Sequence, residues 1–563
     1  MQFPIAQKSG AATISSGTVI AYLLNRCTSN LMQFPITQKR MVLMKHRFLL
    51  FLIIAASVLV FTACHKAGAV KLSDPAKGYT VTLPENMEFD FSLAKSYTKC
   101  ISPDMEIFIS RETNPYEDIL FYLNNYLDRY ITLPEYREKN NISLNCHTIE
   151  EIDKKKVKIL SVTRTPYEGS EIKLNTYSYI YILDSKIPDD FFRIMIKSTE
   201  FNMDTIYDII KSFKEIPVVG ELVNQIDTTP VLPDWNDETR KFYNELCNRD
   251  DIMWGIFIPE AVSPEGLDSS ISDLEKNLDY KFDLCMQYSH IPHEPPPSKG
   301  LYEAYEDGKI TQMTIQISTL WNNDLGTSVN PNFEVIDGVR DKEIREFAIM
   351  VKEFSHPVML RINNEMNTDW TSYSGVQTLS DPEIFKLVWN RIYDIFKKEG
   401  ANNAIWVFNP QYGDFPPANF NNYMSYFPGV DKVQILGLTA YNVGDYYSEQ
   451  IGGHDWKSFS MLYDGMEKAY LEYFSEFPWI IGEFASASHG GIKENWITNM
   501  FNKIGDYKNI KGAIWLNWEA YDGRKGSFGT VARCYRLDET DKTLEAFKKG
   551  IHGVQQKEEL PEH

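Results

Sequence analysis

Glu365 stands in the segment Arg361-Ile362-Asn363-Asn364-Glu365-Met366-Asn367-Thr368-Asp369-Trp370, and Glu483 in Ile480-Ile481-Gly482-Glu483-Phe484-Ala485. Each carboxyl group stands at or just past the end of a strand-like segment. Two carboxyl groups facing each other across a cleft can break a glycosidic bond. One protonates the departing oxygen, while the other attacks the sugar carbon or activates a water. A cation such as Arg361 beside the attacking group favours its charged form. The proton donor needs the opposite surroundings, apolar or close to negative charge, so that it keeps its proton until it is needed.

Something must hold the two groups opposite one another. From about residue 250 the chain alternates strand-like and helix-like text. Eight short apolar runs read as strands: Met253–Ile258, Phe282–Tyr288, Gln312–Ser318, Val358–Ile362, Ala404–Phe408, Val433–Thr439, Trp479–Ile481 and Gly512–Leu516. Helical segments fall between most of them. The clearest spans Asp381 to Glu399, with Ser380 and Glu383 as a capping box and Gly400 as its stop. Eight such strands with crossover-length connections predict a (β/α)8 TIM barrel. A doubly wound sheet would carry a glycine-rich phosphate loop after its first strand, where this chain has Pro259-Glu260-Ala261.

Functional side chains of such barrels lie at the C-terminal ends of strands. Strands four and seven are on opposite sides of the ring, so Glu365 and Glu483 are expected to meet across its mouth. Residues 361, 363 and 365 share strand parity and are expected to point the same way. Strand six ends in Thr439-Ala440-Tyr441-Asn442, and strand eight leads into Trp515-Leu516-Asn517-Trp518. Trp321, after strand three, is a further candidate sugar platform.

The remaining chain divides as follows. Residues 1–64 read as a leader with an upstream extension. Lys45-His46-Arg47 precedes an apolar run, Phe48 to Ala63, and Val60-Phe61-Thr62-Ala63-Cys64 resembles a bacterial lipoprotein cleavage site with Cys64 as the lipidated residue. Met1-Gln2-Phe3-Pro4-Ile5 recurs at Met32, and translation is expected to begin at Met41 or Met44. Residues 65–72 form a tether. Residues 73–216 form a smaller α+β domain whose element order loosely resembles the PsbP/Mog1-like fold, with a helix over Tyr116–Tyr130. Residues 217–240 are a linker and 241–553 the barrel. The reading places the mature chain outside the cytoplasm, held to a membrane by lipid alone.

A chain of 563 residues is too long for one ordinary domain, and its net charge of −20 argues against a nucleic-acid partner. The 13 % aromatic content suits sugar-binding clefts as well as large cores. Beyond Cys64 the cysteines are Cys100, Cys146, Cys247, Cys285 and Cys534, an odd number without metal-ligand spacing. Cys100 and Cys146 are the pair placed to bridge within the first domain. No metal or other cofactor is implied.

The strand-four segment resembles that of glycoside hydrolase family 26, which reads Arg, two residues, His, Glu, any residue, Asn, Gly, any residue, Trp. Gly482-Glu483-Phe484-Ala485 is similar to the family's nucleophile segment. The resemblance covers the barrel and not the first domain. It implies a retaining glycosidase with Glu365 as acid/base and Glu483 as nucleophile. Arg361 would keep the nucleophile ionised, Tyr441 would hydrogen-bond it, and Trp518, or else Trp515, would stack under the sugar. Trp370 matches the motif's last position. Two departures concern the substrate: Asn364 replaces the usual His, and Thr371-Ser372-Tyr373-Ser374-Gly375 replaces an aromatic cluster. The family's habit points to a polysaccharide substrate, cut in the manner of an endo-β-1,4-mannanase, with β-glucan or xylan as alternatives. An enzyme that processes a capsule or exopolysaccharide would share the mechanism. A non-catalytic, polysaccharide-binding surface lipoprotein is the rival from another class.

Overall fold

The computed structural model describes residues 68–319, 326–449, 454–522, 529–554 and 559–563. The expected leader, Cys64 and Trp321 lie outside the described residues.

Eight parallel strands close into a barrel. In order they are Met253–Phe257, Leu284–Ile291, Ile310–Ile317, Val358–Ile362, Ala404–Phe408, Ile435–Asn442, Trp479–Ser486 and Ile510–Leu516. Every expected strand is present. Ala404–Phe408 is buried at every position, which is why it reads as an unbroken apolar run rather than an alternating one, and Val358–Ile362 is buried throughout as well, Arg361 included. Strand seven runs five residues past its expected end, and Glu483 lies within it.

The longest helix is Pro382–Glu399, stopped by Gly400 at φ 83°. Its cap differs from expectation. Asp381, not Ser380, accepts the backbone N–H of Glu383 at 3.0 Å. Ser380 instead donates its hydroxyl to the Leu127 carbonyl oxygen at 2.5 Å, outside the barrel.

Ahead of the barrel lies a seven-stranded antiparallel sheet. Its spatial order is Glu88–Asp90, Thr98–Ser102, Met105–Thr113, Asp190–Ser198, Thr176–Ile182, Lys155–Arg164 and Ile142–Ile152. Helix Met203–Ser212 and a three-stranded sheet (Val70–Asp74, Tyr79–Leu83, Lys214–Glu215) share a core with one face through Tyr79, Ile107, Ile159, Ile194 and Ile209. Val70–Leu72, expected in the tether, pair with Leu83–Val81. Cys100 and Cys146 are both free. They sit on strands five steps apart in the sheet, roughly 24 Å at the usual strand spacing, so no bridge can form.

The helix expected over Tyr116–Tyr130 is broken into Ile119–Tyr122, a wider turn Leu123–Leu127, and Arg129–Thr132. Asp128 causes the break. It is fully buried, and its carboxylate accepts from Lys158 Nζ at 2.7 Å and from the Tyr181 hydroxyl at 2.6 Å. A buried charge must be paired, and reaching these partners outweighs one regular helical turn.

Residues 217–236 contain neither helix nor strand, yet they are pinned along their length. Gln225 N donates to Ser92 O, Val231 N to Val430 O, and Trp235 Nε1 to Ala404 O at 2.7 Å. The following helix, Asp237–Asn248, meets the barrel where strands begin: Tyr243 donates its hydroxyl to Gln434 O.

The sheet packs directly on the barrel, and residues from Ala69 onward form one compact unit. The join is polar and buried. Arg164 grips Asp337 through Nη1 and Nη2 at 2.7 and 3.0 Å. Lys197 Nζ pairs with Asp381 at 3.0 Å, and Arg193 Nη2 donates to Ser380 O at 2.7 Å. Tyr136 and Tyr179 donate their hydroxyls to Gln377 O and Leu379 O. These barrel residues lie in the segments that follow strands three and four. The sheet therefore rests on the same loops that carry Glu365.

Candidate active site

Arg361 points from strand four into the barrel and is fully buried. Its three donor positions are each fixed. Nε donates to Thr314 Oγ1 at 2.8 Å, Nη1 to Asn409 Oδ1 at 2.9 Å, and Nη2 to Glu483 Oε1 at 2.5 Å. A guanidinium held on three sides cannot swing away, so it positions the carboxylate it pairs with.

Glu483 receives two more bonds. Asn364 Nδ2 donates to Oε1 at 3.2 Å and the Tyr441 hydroxyl donates to Oε2 at 2.6 Å. Burial, then the negative charge of Glu483, push the phenols of Tyr441 and Tyr288 well up, so both remain protonated donors.

A bulge aims Glu483. Gly482 has no partner in strand six, where Leu438 faces Ile481 and Thr439 faces Glu483. On the other side, Gly482 and Glu483 together span the single place of Ile514, between Ile481↔Ala513 and Phe484↔Trp515. Bulges of this kind re-aim a side chain. Gly482 is required by closeness: a Cβ there would lie 2.7 Å from Arg361 Nη1 and 3.0 Å from Asn409 Oδ1.

Strand four ends at Ile362, and beyond it the parity expectation fails. Asn363 and Glu365 both take left-handed backbone, at φ 46° and 58°. Asn363 consequently faces strand three, where its Oδ1 accepts from Ile317 N at 2.7 Å and its Nδ2 donates to Asn332 Oδ1. Asn364 turns inward instead. The strained turn is held by Glu365 N donating to Asn409 O at 2.8 Å and by Thr368 Oγ1 donating to Glu365 O at 2.7 Å.

Among the described residues the Glu365 carboxyl accepts one bond, from Trp370 Nε1 to Oε2 at 3.3 Å. Burial and the neighbouring charge of Glu483 raise it to about 7, against the lowering effects of Trp370 and Arg361. The two glutamates thus have opposite surroundings. Glu483 is ringed by a cation and neutral donors, which suits a carboxylate. Glu365 is desolvated beside a negative charge, which suits a retained proton.

The model of glycosyl hydrolase family 26 matches residues 317–459, a stretch that includes Arg361, Glu365 and Tyr441. Over that stretch the barrel resembles glycosyl hydrolase family 26. Among curated proteins the chain is 31 % identical over 267 residues to Endoglucanase H of Acetivibrio thermocellus. That stretch is 47 % of this chain but only 28 % of the relative, so the chain spans well under two thirds of that protein's length. Among solved structures, a β-mannanase from a symbiotic protist of the termite Reticulitermes speratus shares 16 % identity at a TM-score of 0.39, covering 58 % of this chain and 94 % of that one. A family 26 β-mannanase from Bacteroides ovatus shares 16 % at 0.40, covering 58 % and 98 %.

The family match stops before strand seven, so the place of Glu483 rests on geometry. Of the residues singled out in the sequence, Arg361, Asn364 and Tyr441 bond Glu483, and Trp370 bonds Glu365; Asn409, not among them, links the two sets. Trp518 follows strand eight, 46 % exposed, and lines a surface groove with Pro259, Leu274, Asn517 and Tyr521. Trp515 is fully buried, packs against Phe484 and Trp496, and donates to Tyr535 O. It fills the core and cannot act as a sugar platform.

Several members of the site were missed in the sequence. Asn409, just past strand five, bonds Arg361 through its side chain and Glu365 through its carbonyl. Gln316 at the end of strand three donates to Asn364 Oδ1 at 3.0 Å, and Tyr373 donates to the same oxygen at 3.4 Å. Tyr288 in strand two has its ring 5.7 Å from the Arg361 guanidinium. The rule of strand C-terminal ends applies to strands two, three and five as well, and would have found three of these four.

Proposed function

We propose that the barrel is a retaining glycoside hydrolase that cuts a β-linked polysaccharide within its chain. The carrying observation is the asymmetric pair: Glu483 held by Arg361, Tyr441 and Asn364, and Glu365 raised to about 7 beside it. Glu483 attacks the anomeric carbon while Glu365 gives its proton to the departing oxygen, breaking the glycosidic bond and forming a glycosyl ester on Glu483. Glu365, now ionised, takes a proton from water. The water oxygen attacks the anomeric carbon, and Glu483 leaves as carboxylate.

β-1,4-Mannan is the first substrate to test, on the strength of the family resemblance. β-Glucan is the second, favoured by the similarity to Endoglucanase H. Asn364 in place of the family's usual His lies against the nucleophile, where it would meet the sugar, and this change supports testing both. The leader with its lipoprotein-like site at Cys64 supports attachment to a bacterial membrane by lipid, with the barrel outside the cytoplasm. Release of reducing ends from mannan, mixed-linkage glucan and xylan is the test, with Glu365→Ala and Glu483→Ala as controls. Turnover abolished by both substitutions is expected. Binding without turnover on every polymer would favour a surface polysaccharide-binding protein.

A further inference from the structure

Aromatic side chains stand on both sides of the join between barrel and sheet domain, and one of them bonds the acid/base residue. Trp370 bonds Glu365, and its ring lies 5.4 Å from that of Phe415, which is 45 % exposed. Two residues on, Pro417 O accepts the hydroxyl of Tyr122 at 2.9 Å, across the join between barrel and sheet domain. Beside Tyr122 stand three rings, two of them at the surface. Tyr116 and Tyr126 stack at 5.0 Å with 18° between planes, and Phe121 sets its edge to both, at 5.6 and 6.2 Å.

Two of these rings are exposed, and Tyr126 behind them is half-buried. Tyr116 is 37 % and Phe121 47 % exposed. Asn114 clamps the backbone of Tyr116 from both sides, donating Nδ2 to Tyr116 O at 2.5 Å and accepting Tyr116 N on Oδ1 at 3.2 Å. Burial, the Tyr126 hydroxyl and the charge of Asp369 raise the Tyr116 phenol to about 12, so it stays protonated. A contiguous apolar surface kept in water marks a binding site. Preordered rings lose little entropy on binding.

We infer that Tyr116, Phe121 and Tyr126 form a distal sugar-binding platform, set across the join from Trp370 and Phe415, which holds a β-linked polysaccharide several units from the bond that is cut. The ligand follows from chemistry. Pyranose rings of a β-linked chain present flat C–H faces that lie on aromatic rings, and their hydroxyl rims stay in water. The trio supplies such faces and carries no fixed charge. The sheet domain thereby becomes part of the substrate site, which explains its rigid polar seating on the loops after strands three and four.

This inference rests on the glycanase reading, and the test separates the two. The ratio of kcat/KM on a long polymer to kcat/KM on its trisaccharide is compared between the full-length chain and Tyr116→Ala/Phe121→Ala. A short substrate cannot reach the platform, so the ratio is expected to fall about tenfold, as loss of two ring contacts implies. Tyr116→Phe/Phe121→Tyr, which keeps both rings, should restore it. An unchanged ratio, or an equal fall in the ring-keeping variant, overturns the platform. If the wild type cleaves no glycan, the glycanase reading fails. Affinity electrophoresis in the same polymers then decides the platform alone: stronger retention of wild type than of the Ala variant supports it, and equal retention overturns it.

Discussion

Arg361 and Glu483 lie on strands from opposite sides of the barrel, and Nη2 meets Oε1 at 2.5 Å in its buried interior. The pair links strand four to strand seven, the two strands whose carboxyl groups must cooperate. Removing the cation would strand a buried carboxylate. Arg361→Ala should lower unfolding stability by about 3–5 kcal/mol, the usual cost of breaking a buried pair from one side. Activity should fall further than stability explains. Urea unfolding and kcat on the same preparation check both, and a variant of wild-type stability would contradict the account.

Glu365 sets the alkaline limit. A carboxyl raised to about 7 is protonated below that pH and cannot donate above it, so kcat/KM should decline as pH rises through about 7. The sign for stability is the same. The folded chain binds this proton more tightly than the unfolded one, which titrates near 4.5, so this group's contribution is lost as pH rises between those values. Glu483→Gln removes the neighbouring charge and should lower the Glu365 pKa, seen by infrared titration of the carboxyl band. Trp370→Phe removes a bond that favours the ionised form, and should move the alkaline limb upward.

Gly482→Ala would place a methyl group 2.7 Å from Arg361 Nη1. The neighbour is a guanidinium pinned by three bonds, so it cannot yield cheaply. About 1–3 kcal/mol of stability should be lost, the range for overpacking. The kcat should drop at least tenfold as Arg361 is displaced from Glu483, roughly the effect of 1.4 kcal/mol on a barrier. Thermal unfolding and steady-state kinetics measure the two effects.

The sheet and barrel should unfold together. Asp337 accepts both Arg164 donors, Tyr167 N and the Ser170 hydroxyl. Arg164→Ala leaves this buried carboxylate without its cation and should split one calorimetric transition into two, or lower it by several degrees. An unchanged single transition would show that the seam adds nothing.

The barrel was legible because its strands are buried on both faces and read as apolar runs, as Ala404–Phe408 does. Strand Ile142–Ile152 escaped notice because it is an edge strand, exposed or half-exposed at all but its ends, and its polar text carries little signal. Glu365 and Glu483 were legible because carboxyl groups at strand ends are uncommon and the motif spacing is specific. Which asparagine turns inward was not legible. Parity selects Asn363, but the left-handed turn at Asn363 and Glu365 reverses the choice, and that turn is imposed by Asn409 from another strand. The broken helix near Asp128 has the same origin, since Lys158 and Tyr181 are remote in sequence.

The most direct measurement is mass-spectrometric mapping of the glycosyl adduct trapped on Glu365→Ala by an activated 2-deoxy-2-fluoro β-glycoside. The account predicts a stable ester on the peptide containing Glu483. A label on any other residue, or turnover to product of inverted configuration with no adduct, would contradict it.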